Sequence, residues 1–171
     1  MATDKSLRDT RLVFYKDDIE SINAILDAFL KQSAAKCALL IDKDGHMVTS
    51  RGATKRIDLD TISALVAGSF AATREMARIL GEEEFSALYH QGKSDNIQLS
   101  IVGDRALVTA IFDESTTVGM VRLYAAEAAK RLAAIFRKKA QEAVAAGSTA
   151  GDGDATFRAS TGNALDSLFG K

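Results

Sequence analysis

The side chains that could perform chemistry are few and scattered in this sequence. The two histidines, His46 and His90, have no further ligand at metal spacing, whereas a zinc site needs three or four ligands at recognisable intervals. Neither a Gly-x-x-x-x-Gly-Lys loop nor a Gly-x-Ser-x-Gly elbow occurs, so no phosphate loop and no serine nucleophile are indicated. We interpret His46 as a solvated turn residue and His90 as structural. The sequence therefore predicts no catalytic residue, no metal and no cofactor.

Acidic runs are the remaining candidates for acid–base chemistry. Asp17 and Asp18 stand at the start of a predicted helix, and the glutamates at 82–84 follow the end of another. Acidic side chains near a helix start interact favourably with the helix dipole, and we interpret both runs as solvated. An enzyme whose site is assembled from scattered residues stays a weak hypothesis.

Composition and charge limit the classes of partner. The chain has 171 residues and a formal net charge of −1, so electrostatic attraction to nucleic acid or to an anionic membrane is not expected. Cys37 is the only cysteine and cannot form an internal disulfide, which fits a reducing compartment. Because no signal-peptide or membrane-spanning pattern is present, we expect a cytoplasmic protein without membrane insertion.

Alternating helical and strand-like patterns predict an α+β fold. Helical spacing of apolar residues covers 16–32, 58–80 and 118–143, and strand-like runs cover 37–41, 47–50, 85–91, 97–101 and 106–112. Asp44-Gly45 between the first two runs is a hairpin signal. The order α-β-β-α-β-β-β-α indicates one five-stranded antiparallel sheet with helices on its faces.

The second predicted helix carries two kinds of side chain. Asp58 or Asp60 can cap its start, and Gly81 suits the position just past its end. We expect the large residues to face the sheet, namely Ile62, Val66, Met76 and Leu80. Small residues mark an adjacent face that another backbone can approach closely, namely Ala64, Ala67, Gly68, Ala71 and Ala72. Helix packing within a dimer and contact with another protein both remain open for this face.

The two ends of the chain differ in composition from its middle. We predict a flexible N-terminal extension at 1–12, a folded domain at 13–143, a flexible linker at 144–156 and an interaction segment at 157–171. The basic residues Arg131, Arg137, Lys138 and Lys139 in the second half of the last predicted helix complement the helix dipole. Leu165, Leu168 and Phe169 have the spacing of one side of a short helix, which predicts docking on a partner.

Short segments spread over 15–139 resemble the Roadblock / dynein light-chain family, whose element order is the same. The resemblance is strongest to bacterial members of that family that act in cell polarity and motility. It is carried by Asp42-Lys43-Asp44-Gly45, Ile79-Leu80-Gly81-Glu82, His90-Gln91-Gly92, Ile101-Val102-Gly103-Asp104-Arg105 and Gly119-Met120-Val121-Arg122-Leu123.

This resemblance implies the Roadblock fold and a homodimer. In that family the third strands of two subunits pair edge to edge, which gives one continuous sheet. An apolar edge strand needs covering, and a two-fold partner covers it with a copy of itself. The implied dimer interface is Phe85, Ser86, Ala87, Leu88, Tyr89 and His90.

The resemblance also implies a Ras-like small GTPase as partner, one per dimer, bound on the paired second helices. Such a regulator accelerates GTP hydrolysis by positioning the GTPase's own residues, and its terminal segment modulates nucleotide exchange. It works in the cytoplasm, concentrated at a cell pole. The implied GTPase-binding residues are Ala64, Ala67, Gly68, Ala71, Ala72, Arg74, Glu75, Leu165, Leu168 and Phe169.

One departure from the family pattern keeps an alternative open. Where the family has small residues after Ala71-Ala72, this chain has Thr73-Arg74-Glu75. The two long charged side chains could clash with a GTPase or form a salt bridge with a different partner surface. Arg74 could also supply positive charge to the reaction. These two side chains keep open the alternative that the dimer is a scaffold with no effect on GTP hydrolysis.

Overall fold

The chain forms eight elements in the order that its sequence predicts. In the computed structural model, the backbone is described for residues 14–169 and the side chains for residues 14–145. The elements are α1 (Lys16–Ser33), β1 (Cys37–Asp42), β2 (Met47–Gly52), α2 (Leu59–Leu80), β3 (Ala87–Gln91), β4 (Asn96–Val102), β5 (Ala106–Phe112) and α3 (Val118–Phe169). They confirm the predicted α+β class and the order α-β-β-α-β-β-β-α.

The described residues belong to two compact units. One is Phe14–Ile135, which holds the whole sheet, and the other is described from Phe136 onward along α3. Residues 1–12 and the side chains of Leu165, Leu168 and Phe169, for which the sequence makes predictions, lie outside the described residues. The predicted extension and interaction segment therefore stay predictions, and so does the flexibility of the linker at 144–156.

The five strands form a single antiparallel sheet in the order β2-β1-β5-β4-β3. Strands β2 and β3 are its two edges. Residues opposite one another in neighbouring strands point to the same face. In the row across the middle of the sheet, Leu39 of β1 lies opposite Thr109 of β5, and Thr109 lies opposite Leu99 of β4.

One face of the sheet forms an apolar core together with α2. Val66 and Phe70 of α2 pack there on apolar strand residues, which are Cys37, Leu39, Ile41, Leu99, Leu107 and Ile111. Helix α1 lies on the opposite face, because Asn23 and Asp27 bind β2 residues that point away from this core. The contacts are Thr49 Oγ1 to Asn23 Oδ1 at 2.7 Å and Arg51 Nε to Asp27 Oδ1 at 2.7 Å. Helices therefore cover both faces, as predicted.

Local signals of the sequence account for where α2 begins and ends. Of the two predicted caps, Asp58 is the one used, and its carboxylate accepts from Thr61 N at 3.1 Å and Thr61 Oγ1 at 2.8 Å. These bonds lower the pKa of Asp58 below its ordinary value. Gly81 follows the helix with φ of +78°, a left-handed conformation that favours glycine.

The expectation that Met76 and Leu80 face the sheet is wrong. Their side chains are 51% and 71% exposed, whereas Thr73 and Ala77 are buried beside Phe70. The inward positions follow spacings of three and four along the helix, and they are Val66, Phe70, Thr73 and Ala77. Met76 is one residue away from this row, so a rotation of about 100° turns it outward.

Helix α3 continues past its predicted end near residue 143. Its backbone is helical to Phe169 and so runs through 144–156, where the sequence predicts a linker. The chain contains no proline, so nothing in this stretch removes a helical backbone donor. Arg137, Lys138 and Lys139 consequently lie inside the helix and not at its end. Lys139 Nζ lies 2.9 Å from Glu142 Oε2, which partly balances this charge.

A buried threonine on the α2 side of the sheet yields a prediction about stability. Thr109 is fully buried between Leu39 and Leu99, and within the described residues its hydroxyl has no hydrogen-bond partner. An unpaired buried hydroxyl costs free energy, so Thr109→Val should raise the free energy of unfolding by about 1 kcal/mol. Thr49→Val is the matched control, because the Thr49 hydroxyl donates to Asn23 and its loss should lower stability. Urea unfolding of both variants measures this, and equal destabilisation would contradict the interpretation.

Candidate functional site

The outward face of α2 carries an unusual number of large apolar side chains. Leu65, Met76, Ile79 and Leu80 are exposed by 68%, 51%, 72% and 71%. A helix that covers one side of a core normally turns polar residues to solvent, and clustered exposed apolar residues mark interaction sites. We call these four residues the α2 apolar stripe. Sequence reasoning missed Leu65 and Ile79, although α2 has more large apolar residues than one buried face can hold.

The small residues of α2 separate into two groups in the structure. Ala67 is only 7% exposed, whereas Ala64, Gly68, Ala71 and Ala72 are exposed. The predicted face is therefore not one continuous surface, since the side chain of Ala67 points inward. The remaining small residues border the charged positions Arg74 and Glu75.

Another stretch of backbone does approach α2 closely, and it belongs to the same chain. The turn between β1 and β2 packs on the helix at Gly45, where an added Cβ would lie 3.1 Å from the Cα of Ala64 and 3.5 Å from the Cβ of Ala67. A side chain at position 45 would therefore crowd the helix. The approach to the helix at Ala64 and Ala67 thus comes from within the subunit, whereas an added Cβ at Gly68 would meet nothing within 4 Å.

The two charged residues of α2 are already paired with other side chains. Arg74 Nε lies 3.7 Å from Glu84 Oε1, in the loop after the helix. Glu75 accepts a hydrogen bond from Arg78 Nε at 3.0 Å, and this bond lowers the pKa of Glu75. Both pairs are solvent-exposed, so they orient the side chains and contribute little stability.

The two edges of the sheet differ in how well they are protected. Strand β2 carries a register irregularity opposite Leu40 and Ile41, and its Arg51 forms a two-pronged pair with Asp27. Bulges and charges of this kind discourage pairing with another strand. Strand β3 reads Ala-Leu-Tyr-His-Gln, pairs with β4 in regular register and contains no Asp, Glu, Lys, Arg or proline. The β3 edge is therefore the one open to pairing.

The predicted interface residues lie at this open edge or just before it. Phe85 and Ser86 precede the strand, which begins at Ala87. Tyr89 stacks on Phe112 with ring centroids 6.1 Å apart, and its hydroxyl lies 3.2 Å from Asn96 Oδ1. His90 at the end of the strand is exposed.

The prediction that neither histidine has a further ligand nearby is wrong for His46, which lies in a cluster with two aspartates. Asp42, Asp44 and His46 bring their ligand atoms within 4.8 Å of one another at the β1–β2 turn. The internal bonds of the turn account for this proximity, since Asp42 Oδ1 accepts from Asp44 N at 3.0 Å and His46 N at 2.8 Å. His46 is exposed there, and Asp42 orders the hairpin.

A further charged cluster holds one end of the sheet together. Lys36 Nζ lies 2.6 Å from Asp95 Oδ1 and 3.0 Å from Asp113 Oδ2, and thereby joins the start of β1 to the β3–β4 turn and the end of β5. Hydrogen bonds from Ser115, followed by the bond from Lys36, hold the pKa of Asp113 well below its usual range. This cluster supports the ends of the strands that it joins.

None of the helices in the described part of the chain has both the length and the apolar character needed to cross a bilayer.

Comparisons with known proteins agree with this arrangement of α2 and the sheet. The model of the Roadblock/LC7 domain matches residues 22–112. MglB of Myxococcus xanthus is 38% identical, with a TM-score of 0.67, over 69% of this chain and 96% of that one. The gliding protein MglB of Thermus thermophilus is 35% identical, with a TM-score of 0.71, over 74% and 96%. An MglB with a tetrameric arrangement is 36% identical, with a TM-score of 0.70, over 77% and 96%. Among curated proteins, none matches the chain.

Two glycines near α2 yield opposite predictions for the same substitution. Gly45→Ala should lower the free energy of unfolding by roughly 1–3 kcal/mol, because Gly45 has φ of +92° and its added Cβ would crowd Ala64. Gly68→Ala should raise it by about 0.5–1 kcal/mol, because the position is helical and open within the chain. Urea unfolding at one protein concentration, with sedimentation to check the oligomeric state, measures both. A loss of stability in both variants would contradict this assignment.

Proposed function

Because this chain belongs to the Roadblock/LC7 family and has an MglB-like fold, we propose that it regulates a Ras-like small GTPase of the MglA type in bacterial cell polarity and motility. It acts as a GTPase-activating protein and carries no active site of its own. The observation that supports this most is the exposed face of α2, where the apolar stripe adjoins the small residues Gly68, Ala71 and Ala72.

The first step of this proposal is a homodimer. Among the described strands, none pairs with the outer edge of β3, whose residues carry no charge, and the apolar stripe of α2 is exposed in the single chain. Burying apolar area contributes about 25 cal/mol for each Å² removed from water, so covering this stripe favours association. Pairing two β3 edges joins the sheets, and two α2 helices then form one contact surface.

The second step is binding of one GTPase on the paired α2 helices. Gly68, Ala71 and Ala72 are exposed and small, so a partner backbone can approach the helix closely there. Arg74 and Glu75 border the same surface. Arg74 pairs with Glu84, and Glu75 pairs with Arg78. Each charge therefore keeps an oppositely charged neighbour when a partner covers the surface.

Acceleration of hydrolysis then follows from positioning. GTP hydrolysis needs an oriented water and positive charge at the transferring phosphoryl group. A regulator without reactive side chains contributes by holding the GTPase's own arginine and glutamine in the competent arrangement. This role requires a shaped and rigid surface, which a 22-residue helix anchored by Val66, Phe70 and Ala77 provides.

A second candidate function is that of a scaffold dimer that binds a partner without changing any rate. The exposed ion pairs of Arg74 and Glu75 favour it, because long charged side chains at the contact suit a surface other than the usual GTPase. Binding is common to both candidates, and only the rate of hydrolysis separates them.

The terminal segment is a third part of the proposal. We propose that residues 157–171 dock on the GTPase and modulate nucleotide exchange, through Leu165, Leu168 and Phe169. Attachment to a dimer that is already bound raises the effective concentration of such a segment.

Phosphate release from the cognate GTPase tests the activator role. The intact chain should accelerate release, and Ala71→Arg should remove this effect, because a long cation blocks close approach to α2. Calorimetry with a GTP analogue should show at least a tenfold loss of affinity, about 1.4 kcal/mol. Ala126→Arg, at an exposed position of α3, is the matched control and should leave both values unchanged.

The possible outcomes separate the candidates. Binding without faster phosphate release would support the scaffold. Unchanged binding by Ala71→Arg would contradict the α2 contact, and release of phosphate by the chain alone would favour the enzyme hypothesis.

Removing residues 157–171 tests the role of the terminal segment. Truncation should weaken GTPase binding or alter the rate of nucleotide exchange, because the docked apolar side chains are lost, and it should leave the dimer intact. Fluorescent nucleotide release and sedimentation measure the two properties. If affinity and exchange rate both equal those of the full chain, the segment has no such role.

A further inference from the structure

We propose that two copies of this chain pair their β3 strands antiparallel in one defined register, with Tyr89 on the two-fold axis. Ala87 then lies opposite the partner's Gln91, and Tyr89 lies opposite the partner's Tyr89. The inference rests on the homodimer of the proposed function and adds to it the alignment of the two strands. Its basis is the direction in which the backbone groups of β3 point.

Every second residue of β3 presents its backbone groups to the open edge. Ile101 N donates to Ser86 O at 3.2 Å, so Ser86 directs its carbonyl towards β4. Backbone groups alternate between the two sides of a strand, so Leu88 and His90 also bond β4, opposite Leu99 and Ile97. The outward set consists of Ala87, Tyr89 and Gln91.

The outward set is symmetric about its central residue. Each of its three residues offers one N–H and one C=O, which makes six groups. With Tyr89 on the axis, Ala87 meets Gln91 and all six groups find partners across the interface. With Leu88 or His90 on the axis, two of the three residues pair with each other, and the third projects beyond the partner's strand. Since unpaired backbone groups that become buried cost free energy, the register centred on Tyr89 is favoured.

This register is compatible with the helices on both faces. Leu88 packs against the core under α2, so in the paired strands Leu88 and the partner's His90 lie together on the α2 side. Ala87, Tyr89 and Gln91 point to the other side, where Tyr89 stacks on Phe112. A two-fold axis perpendicular to the sheet keeps each face on its own side, so both copies of α2 lie on one face of the joined sheet.

Cysteine pairs at the open edge test the register. Ala87→Cys and Gln91→Cys are prepared as separate full-length proteins, mixed in equal amounts to exchange subunits, and oxidised with copper–phenanthroline. Opposed residues of a hydrogen-bonded antiparallel pair have Cα atoms about 5.5 Å apart, within the range for a disulfide. The mixture should give a covalent dimer from up to about half of the chains, the share of mixed dimers expected when two kinds of subunit pair at random.

Each variant alone is the control for this experiment. Identical positions 87 and 87, or 91 and 91, are offset by four residues, about 13 Å along the strands, and should not link. The natural Cys37 is fully buried, and burial raises the pKa of its thiol to about 11, so the unmodified chain should also stay unlinked.

Two single substitutions give an independent reading of the axis. Tyr89→Cys should form a covalent dimer with itself, whereas Leu88→Cys should not, because its counterpart lies two residues away along the strand. Self-linking of Leu88→Cys or His90→Cys, in a chain that sediments as a dimer, would overturn the register and leave the dimer standing. A chain that sediments only as single subunits at micromolar concentration would overturn the proposed homodimer itself.

Discussion

The hydrogen-bonding demand of an open sheet edge is the constraint on which the rest of this structure depends. Every strand except the outermost two satisfies its backbone on both sides, and the two edges are treated differently. Strand β2 carries an irregular register and the Arg51–Asp27 pair, whereas β3 carries neither charge nor proline. An edge without such protection is prone to pairing, so pairing through β3 is the outcome that the subunit itself favours. The exposed apolar stripe of α2 adds hydrophobic area on the adjoining face.

Much of the fold could be predicted from local sequence signals. Asp44-Gly45 predicts the hairpin, Asp58 or Asp60 the start of α2 and Gly81 its end, because each is decided by residues close together in the chain. The alternation of Ile97, Leu99 and Ile101 likewise predicts β4, since one face of a half-buried strand is apolar. These features need no knowledge of which elements touch.

Which residues of α2 face the sheet and which face outward was harder to predict, because this depends on distant parts of the chain. Met76 and Leu80 are as apolar as Val66, so composition cannot tell which side faces the sheet, and the helix has more apolar residues than the core accommodates. The inward position of Ala67 depends on the β1–β2 turn, whose Gly45 approaches the helix from an earlier part of the chain. A small residue on a helix indicates that another backbone can approach closely, but it does not indicate whether that backbone belongs to the same chain.

The division of the small residues also defines where a partner can lie. The chain's own hairpin lies against α2 at Ala64 and Ala67, whereas Gly68, Ala71 and Ala72 further along the helix are exposed, which leaves room there for the backbone of a partner. Glycine in the middle of a helix costs about 1 kcal/mol relative to alanine, and no contact within the described residues offsets that cost at Gly68. A close contact with a second molecule at this point would offset it. The hairpin lies against α2 at Ala64 and Ala67, and in the proposed contact it would border the surface formed by Gly68, Ala71 and Ala72.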